Sequence, residues 1–120
     1  MAKREDFGHS FLAYFKRATS PLAVLRILSD RPMYGYELIQ ELKQRSGGKY
    51  QLSLLYPVLY RLEEQGYLTI SASEIVDGRA RNYYAVTPAG RDYLRRTLAE
   101  YAEISVVFQQ LMEDWDGHEA

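Results

Sequence analysis

The chain has 120 residues, 47% of them hydrophobic, no cysteine and a formal net charge of −1. That length fits one compact domain and leaves little room for a deep catalytic cleft beside the core. The absence of cysteine excludes a disulfide framework and a thiolate zinc site, and it suits a reducing compartment.

The net charge hides an asymmetry. All 15 Lys and Arg fall within the first 99 residues, against 10 Asp and Glu, a net +5. From Glu100 onward there are only acids: Glu100, Glu103, Glu113, Asp114, Asp116 and Glu119. A basic body with an acidic tail keeps a polyanionic partner in play, because charges farther apart than about 8–10 Å are screened at cellular salt. Met1–Ser10 carries no apolar signal core. No apolar run approaches the roughly 20 residues that span a bilayer, so no membrane partner and a cytoplasmic location are expected.

In chain order, Phe7, Phe11, Leu12, Tyr14 and Phe15 form an aromatic cluster at helical spacing. This N-terminal arm, residues 1–19, either packs on a neighbouring subunit or caps the core. Ser20-Pro21 predicts the start of the next helix, with Ser as N-cap and Pro at the first position. Leu22, Leu25, Ile27 and Leu28 give it an apolar face, and Pro32 marks its end. Tyr34-Gly35-Tyr36 opens a second helix with Leu38, Ile39 and Leu42 buried, stopped by Gly47-Gly48. Ser53 is the expected cap of a third helix, Leu54 to Gln65, with Leu55, Val58, Leu59 and Leu62 facing the core and Gly66 as C-cap. Tyr67–Ile75 and Asn82–Val86 read as strands about an Asp77-Gly78 turn. Thr87-Pro88 caps a long last helix reaching about Met112.

Three short helices followed by a hairpin predict a mainly α (α+β) fold, a winged helix-turn-helix with a long C-terminal dimerisation helix. The division is a helical arm (1–19), a DNA-binding domain (20–86), a dimerisation helix (87–113) and an acidic tail (114–120).

In that arrangement the third helix is the recognition helix and the hairpin is the wing. A recognition helix presents donors from its N-terminal end to the major groove. Ser53, Leu54, Tyr56, Tyr60 and Arg61 hold those positions, with Tyr36, Lys43 and Lys49 beside them. Hydroxyls and a helix N-terminus suit phosphate oxygens, and Leu54 suits a thymine methyl. Tyr60 reads equally as a core residue, and Arg61 as the partner of Glu64. Arg79 and Arg81, on a protruding wing turn, suit phosphate contact or the minor groove. Arg45 adds charge near Lys43 and Lys49.

On the last helix Leu94, Leu98, Tyr101, Ser105, Phe108, Met112 and Trp115 repeat at 4-3-4-3-4-3, an a/d heptad. Tyr93, Thr97, Ile104, Val107 and Leu111 form a second row. Two apolar rows exceed what a single small domain covers, so a homodimer is expected through Leu94, Leu98, Tyr101, Ile104, Ser105, Phe108, Leu111 and Met112. Such a dimer presents two recognition helices to a near-palindromic duplex with half-sites about 34–36 Å apart.

No catalytic constellation, cofactor motif or metal set is legible. His9 and His118 read as surface residues, and Gly47-Gly48 is a helix stop rather than a phosphate loop. A winged-helix protein-interaction module without specific DNA binding is the alternative reading.

Three segments together resemble the PadR family of transcriptional regulators over about residues 20–113. They are Tyr34-Gly35-Tyr36-Glu37-Leu38; Leu55-Tyr56-Pro57 with Leu59, Arg61-Leu62-Glu63 and Gly66; and Asp77-Gly78-Arg79 with Tyr83-Tyr84 and Thr87-Pro88-Ala89-Gly90. The family usually has Gly-Thr where this chain has Ser53-Leu54. The resemblance implies a homodimer built on a single C-terminal helix, usually acting as a repressor. Some members of the family are released by planar aromatic or cationic compounds at the dimer interface, which implies a small aromatic or hydrophobic effector where Tyr101, Phe108 and Trp115 fall. The other reading of these residues is that they simply pack the dimer.

Overall fold

The structure is a computed structural model that describes residues 10–51 and 55–117. Its elements are α1 (Phe11–Leu28), α2 (Gly35–Arg45), α3 (Leu55–Glu64), β1 (Leu68–Val76), β2 (Arg79–Val86) and α4 (Pro88–Leu111). This is the expected winged helix: three helices, an antiparallel hairpin and a long last helix.

The start of α1 differs from expectation. The helix begins at Phe11, capped by the Ser10 hydroxyl, which accepts from the Ala13 N–H at 3.1 Å. It runs unbroken through Pro21, so the boundary read at residues 19 and 20 falls inside it. Ser20 is 4% exposed and caps nothing; its hydroxyl donates to the Lys16 carbonyl at 2.6 Å. Contacts upstream of Pro21 explain why the helix continues. Phe15 meets Tyr101 of α4 at 6.4 Å between ring centroids, and Thr19 shares a 2.6 Å hydrogen bond with Tyr50. Tertiary packing here outweighs the local cap signature, as it commonly does for propensity.

The other stops follow the sequence closely. Gly47 and Gly66 both adopt positive φ, 61° and 84°. At each, a 6→1 and a 5→2 bond close the helix: Gly48 N–H to Lys43 O and Gly47 N–H to Gln44 O, then Tyr67 N–H to Leu62 O and Gly66 N–H to Glu63 O. This is the Schellman geometry that a left-handed glycine permits. The segment meant to cap α3 lies outside the described residues, and Ser53 and Leu54 with it.

The hairpin is longer than the alternation suggests. Asp77 and Gly78 take φ of 52° and 77°, a two-residue turn of the primed type, so pairing extends to Val76 opposite Arg79. Arg79 and Arg81 therefore belong to strand β2 and not to a protruding loop. An irregularity between Ile70 and Ala72 leaves Ser71 unpaired, a bulge in β1. At its root the hairpin joins the helices through a bridge between Met33 and Tyr84, with N–H···O distances of 2.9 and 3.2 Å.

One core holds these parts together. Val24, Leu25, Ile27 and Leu28 of α1 meet Leu38 and Leu42 of α2, Leu55, Leu59 and Leu62 of α3, then Met33, Leu68, Tyr84 and Leu94. Leu22, Ile39 and Val58, read as core, are only partly buried at its edge.

Candidate nucleic-acid interface

Between α3 and the hairpin lies a recess of about 690 Å³. Tyr34, Tyr36, Tyr56, Tyr60, Arg79 and Arg81 line it. The start of α2, the N-terminal half of α3 and strand β2 thus aim phenols and guanidiniums at one space. Tyr56 and Tyr60 are 46% and 57% exposed, with ring centroids 6.1 Å apart. Tyr60 is therefore not a core residue. Residues four apart share one helix face, and in α3 it is the neighbouring face that carries the buried Leu55, Leu59 and Leu62.

Gly35 allows this closeness. A Cβ at Gly35 would collide with the Tyr56 hydroxyl, so only glycine lets α3 lay that phenol across the first turn of α2. Glu37 fixes the same turn by accepting from the Tyr34 N–H at 3.3 Å. The role of Tyr34 was not legible in the sequence, where the tyrosine marked only a helix start. Its ring lies under the Arg81 guanidinium, 4.1 Å from centroid to Cζ. Arg81 Nη1 also stands 3.6 Å from Glu74 Oε1, and its side chain is only 31% exposed. Arg79 is exposed.

The remaining basic candidates lie elsewhere. Lys43, Lys49 and Arg61 are exposed but do not line the recess. Among the described residues no ion pair joins Arg61 to Glu64. Arg45 is committed: it pairs with Asp30 at 2.8 Å and Glu41 at 2.9 Å, so it adds no free charge there. Hydrogen bonds from Arg45 and Arg26 hold the Asp30 carboxyl below its ordinary pKa. Burial pushes the Tyr84 phenol above its ordinary value.

A rigid joint connects this surface to α4. The Thr87 hydroxyl caps α4 by accepting from the Gly90 N–H at 3.0 Å and donates to the Gly66 carbonyl, at the end of α3, at 2.6 Å. A Cβ at Gly90 would run into the Tyr67 carbonyl oxygen, so glycine is needed where α4 meets the hairpin. Tyr67 and Tyr93 stack at 4.5 Å.

Beyond that joint α4 stands clear. Leu94 is 8% exposed, in the chain's own core. Leu98, Tyr101, Ile104, Phe108, Leu111, Met112 and Trp115 are all exposed, Leu111 and Trp115 to 72%, and Ser105 partly so. But α4 ends at Leu111 with Met112 as its C-cap, so Trp115 lies beyond the helix and the row expected to reach it stops short. Phe11 and Leu12 of α1 are exposed as well. Tyr101 also lines an apolar groove of about 270 Å³ with Phe15, Leu22 and Leu98. Phe108 and Trp115 do not line it. No helix of the described residues is long and apolar enough to cross a membrane.

Comparison with known proteins agrees with this architecture. Residues 24–96 match the transcriptional regulator PadR-like family. A transcriptional regulator of Mycobacterium tuberculosis is 45% identical over 91 residues, covering 73% of this chain and 83% of the relative. The crystal structure of a PadR family transcriptional regulator from Eggerthella lenta is similar at a TM-score of 0.77 and 28% identity, over 86% of this chain and 89% of that one. A transcriptional regulator from Clostridium thermocellum shares the fold at a TM-score of 0.75 and 24% identity, over 83% of this chain and 99% of that one. The chain belongs to the PadR-like family of transcriptional regulators, and its work is DNA-binding regulation.

Proposed function

We propose that the chain is a homodimeric repressor that clasps through α4 and binds a near-palindromic operator in the cytoplasm. The observation that carries this reading is the shared recess, which aims Tyr36, Tyr56, Tyr60 and Arg79 into one space. Phenol hydroxyls and a guanidinium are donors suited to phosphate oxygens and base edges. Lys43, Lys49 and Arg61 add exposed cations outside that space, and Ser53 and Leu54 precede α3 in the chain. The uncovered row from Leu98 to Met112 supports a two-fold partner: a second copy covers it and brings two recognition helices to one face of the duplex. The groove beside Tyr101, continuous with that row, supports an effector of small aromatic or hydrophobic chemistry, with Phe108 and Trp115 at the mouth formed by two copies. An effector acts only through unequal affinity for two dimer geometries.

Selection from a random duplex library on the full-length protein tests the reading, followed by binding titrations across salt. A discrete half-site repeat should be recovered, and affinity should fall steeply with salt as counterions are released. Arg79→Ala removes one phosphate contact from each protomer and should lower the salt slope of the dimer by about two. If no duplex is enriched, the protein-interaction reading replaces this one. Quenching of Trp115, the single tryptophan, by a panel of planar aromatics tests the effector, and unchanged emission across the panel removes it.

A further inference from the structure

We propose that Arg81 is a positioning residue, a latch that holds the wing against the start of α2 and leaves Arg79 as the hairpin's contact to the duplex. This rests on the DNA-binding reading above. The two arginines sit two residues apart on β2, hence on one face of the strand, and both line the recess. Their surroundings differ. Arg79 is exposed, and among the described residues no ion pair or ring contact holds it. Arg81 meets both the Tyr34 ring, 4.1 Å away, and the Glu74 carboxylate, 3.6 Å away. Tyr34 is itself braced: its ring meets Tyr83 edge-on at 5.4 Å, and its backbone forms the N-cap of α2.

The position of this contact matters as much as its chemistry. The wing is a two-stranded ribbon, marginal in water without outside support. From Thr69 to Ile75 its first strand is exposed. At the root, the Met33–Tyr84 bridge ties it to the helices. Arg81, together with the Tyr34–Tyr83 ring contact, adds a second tie, three residues nearer the tip and on a different atom set. One tie leaves a hinge, whereas two ties along the ribbon fix its direction. A guanidinium that reached for a phosphate would have to leave both the ring and the carboxylate. The exposed Arg79, one strand repeat away, has nothing to give up. The ring contact also needs a planar cation, since a flat guanidinium stacks on an aromatic face in a way that an ammonium does not.

Hydrogen-exchange mass spectrometry on the DNA-free full chain tests the latch directly. In Arg81→Ala and in Tyr34→Leu, peptides covering residues 70–83 should exchange about five-fold faster, the loss expected for a stacked cation. In Arg79→Ala those peptides should exchange as in the wild type. On a duplex selected by the wild-type protein, Arg81→Ala and Tyr34→Leu should each bind about five-fold more weakly. The double variant should fall no more than about two-fold below Tyr34→Leu, because that variant already removes the contact that Arg81 makes with the ring. Arg81→Lys, which keeps charge and length, should not restore affinity. Unchanged hairpin exchange in Arg81→Ala overturns the latch. So does full affinity in Arg81→Lys, which marks a phosphate contact. If selection enriches no duplex, the DNA-binding reading falls, and the exchange comparison still decides whether Arg81 holds the wing.

Discussion

The two halves of α4 carry the same apolar spacing and meet opposite fates. Near its start, the helix is capped by Thr87, pressed against the Tyr67 carbonyl at Gly90, stacked through Tyr93, and buried at Leu94. From Leu98 onward the apolar residues face outward, with Tyr101 reaching only the edge of Phe15. A heptad row states that a face is to be buried but not by what. The body's own core stops at Leu94, and past it only Leu98 and Tyr101 reach the groove beside α1. The rest of the row therefore represents apolar area that only another surface removes from water, at about 25 cal/mol per Å².

Three perturbations break or sharpen that comparison. The largest effect is expected from placing charge on the distal half. Phe108→Glu combined with Leu111→Glu should convert a dimer into a monomer in sedimentation equilibrium, since an unpaired buried carboxylate is costly. Affinity for a selected duplex should drop at least about 100-fold as the two half-sites cease to bind as one unit. A double variant that remains dimeric at micromolar concentration would show that the distal row serves another purpose. On the proximal half, Gly90→Val should destabilise the fold by about 2–3 kcal/mol in urea titration, because the side chain overpacks the Tyr67 carbonyl and Val86. If that variant unfolds at the wild-type urea midpoint, the joint between α4 and the hairpin is looser than its geometry implies.

The smallest effect lies outside α4 and serves as its contrast. Asp30 has a depressed pKa, through hydrogen bonds first from Arg45 and then from Arg26. A depressed carboxylate pKa contributes stability that is present above its unfolded value and lost as pH falls through its folded value. In acid titrations below about pH 4, where carboxylates titrate, Asp30→Asn should show a shallower loss of stability than the wild type. Neither its dimer constant nor its salt slope on DNA should change. An identical acid limb in both proteins would mean that the exposed pair is fully screened.

Much of the fold was legible before any coordinates. The glycines after α2 and α3, the Asp77-Gly78 turn and the Thr87-Pro88 cap each encode a local backbone requirement, and each holds. Ser20-Pro21 encodes a local requirement of the same kind and fails. The exception is physical: residues on both sides of that point are held by α4, Tyr50 and the core, so a continuous helix is worth more than a capped one. The recess was legible in part. Tyr36, Tyr56, Tyr60, Arg79 and Arg81 could be named, because exposed hydroxyls and cations on a recognition helix and a wing carry their own chemical signal. Tyr34 could not be named, since its partner is 47 residues away in sequence, at Arg81.

The sequence by itself determined the order of the elements, the turns between them and the apolar row awaiting cover, because these depend on backbone preference and spacing within a few residues. Only the tertiary structure decided which of two neighbouring arginines is free, why residues 35 and 90 must be glycine, and where along α4 the chain's own core stops. Each of those depends on atoms brought together from distant parts of the chain, and no local pattern specifies their distance.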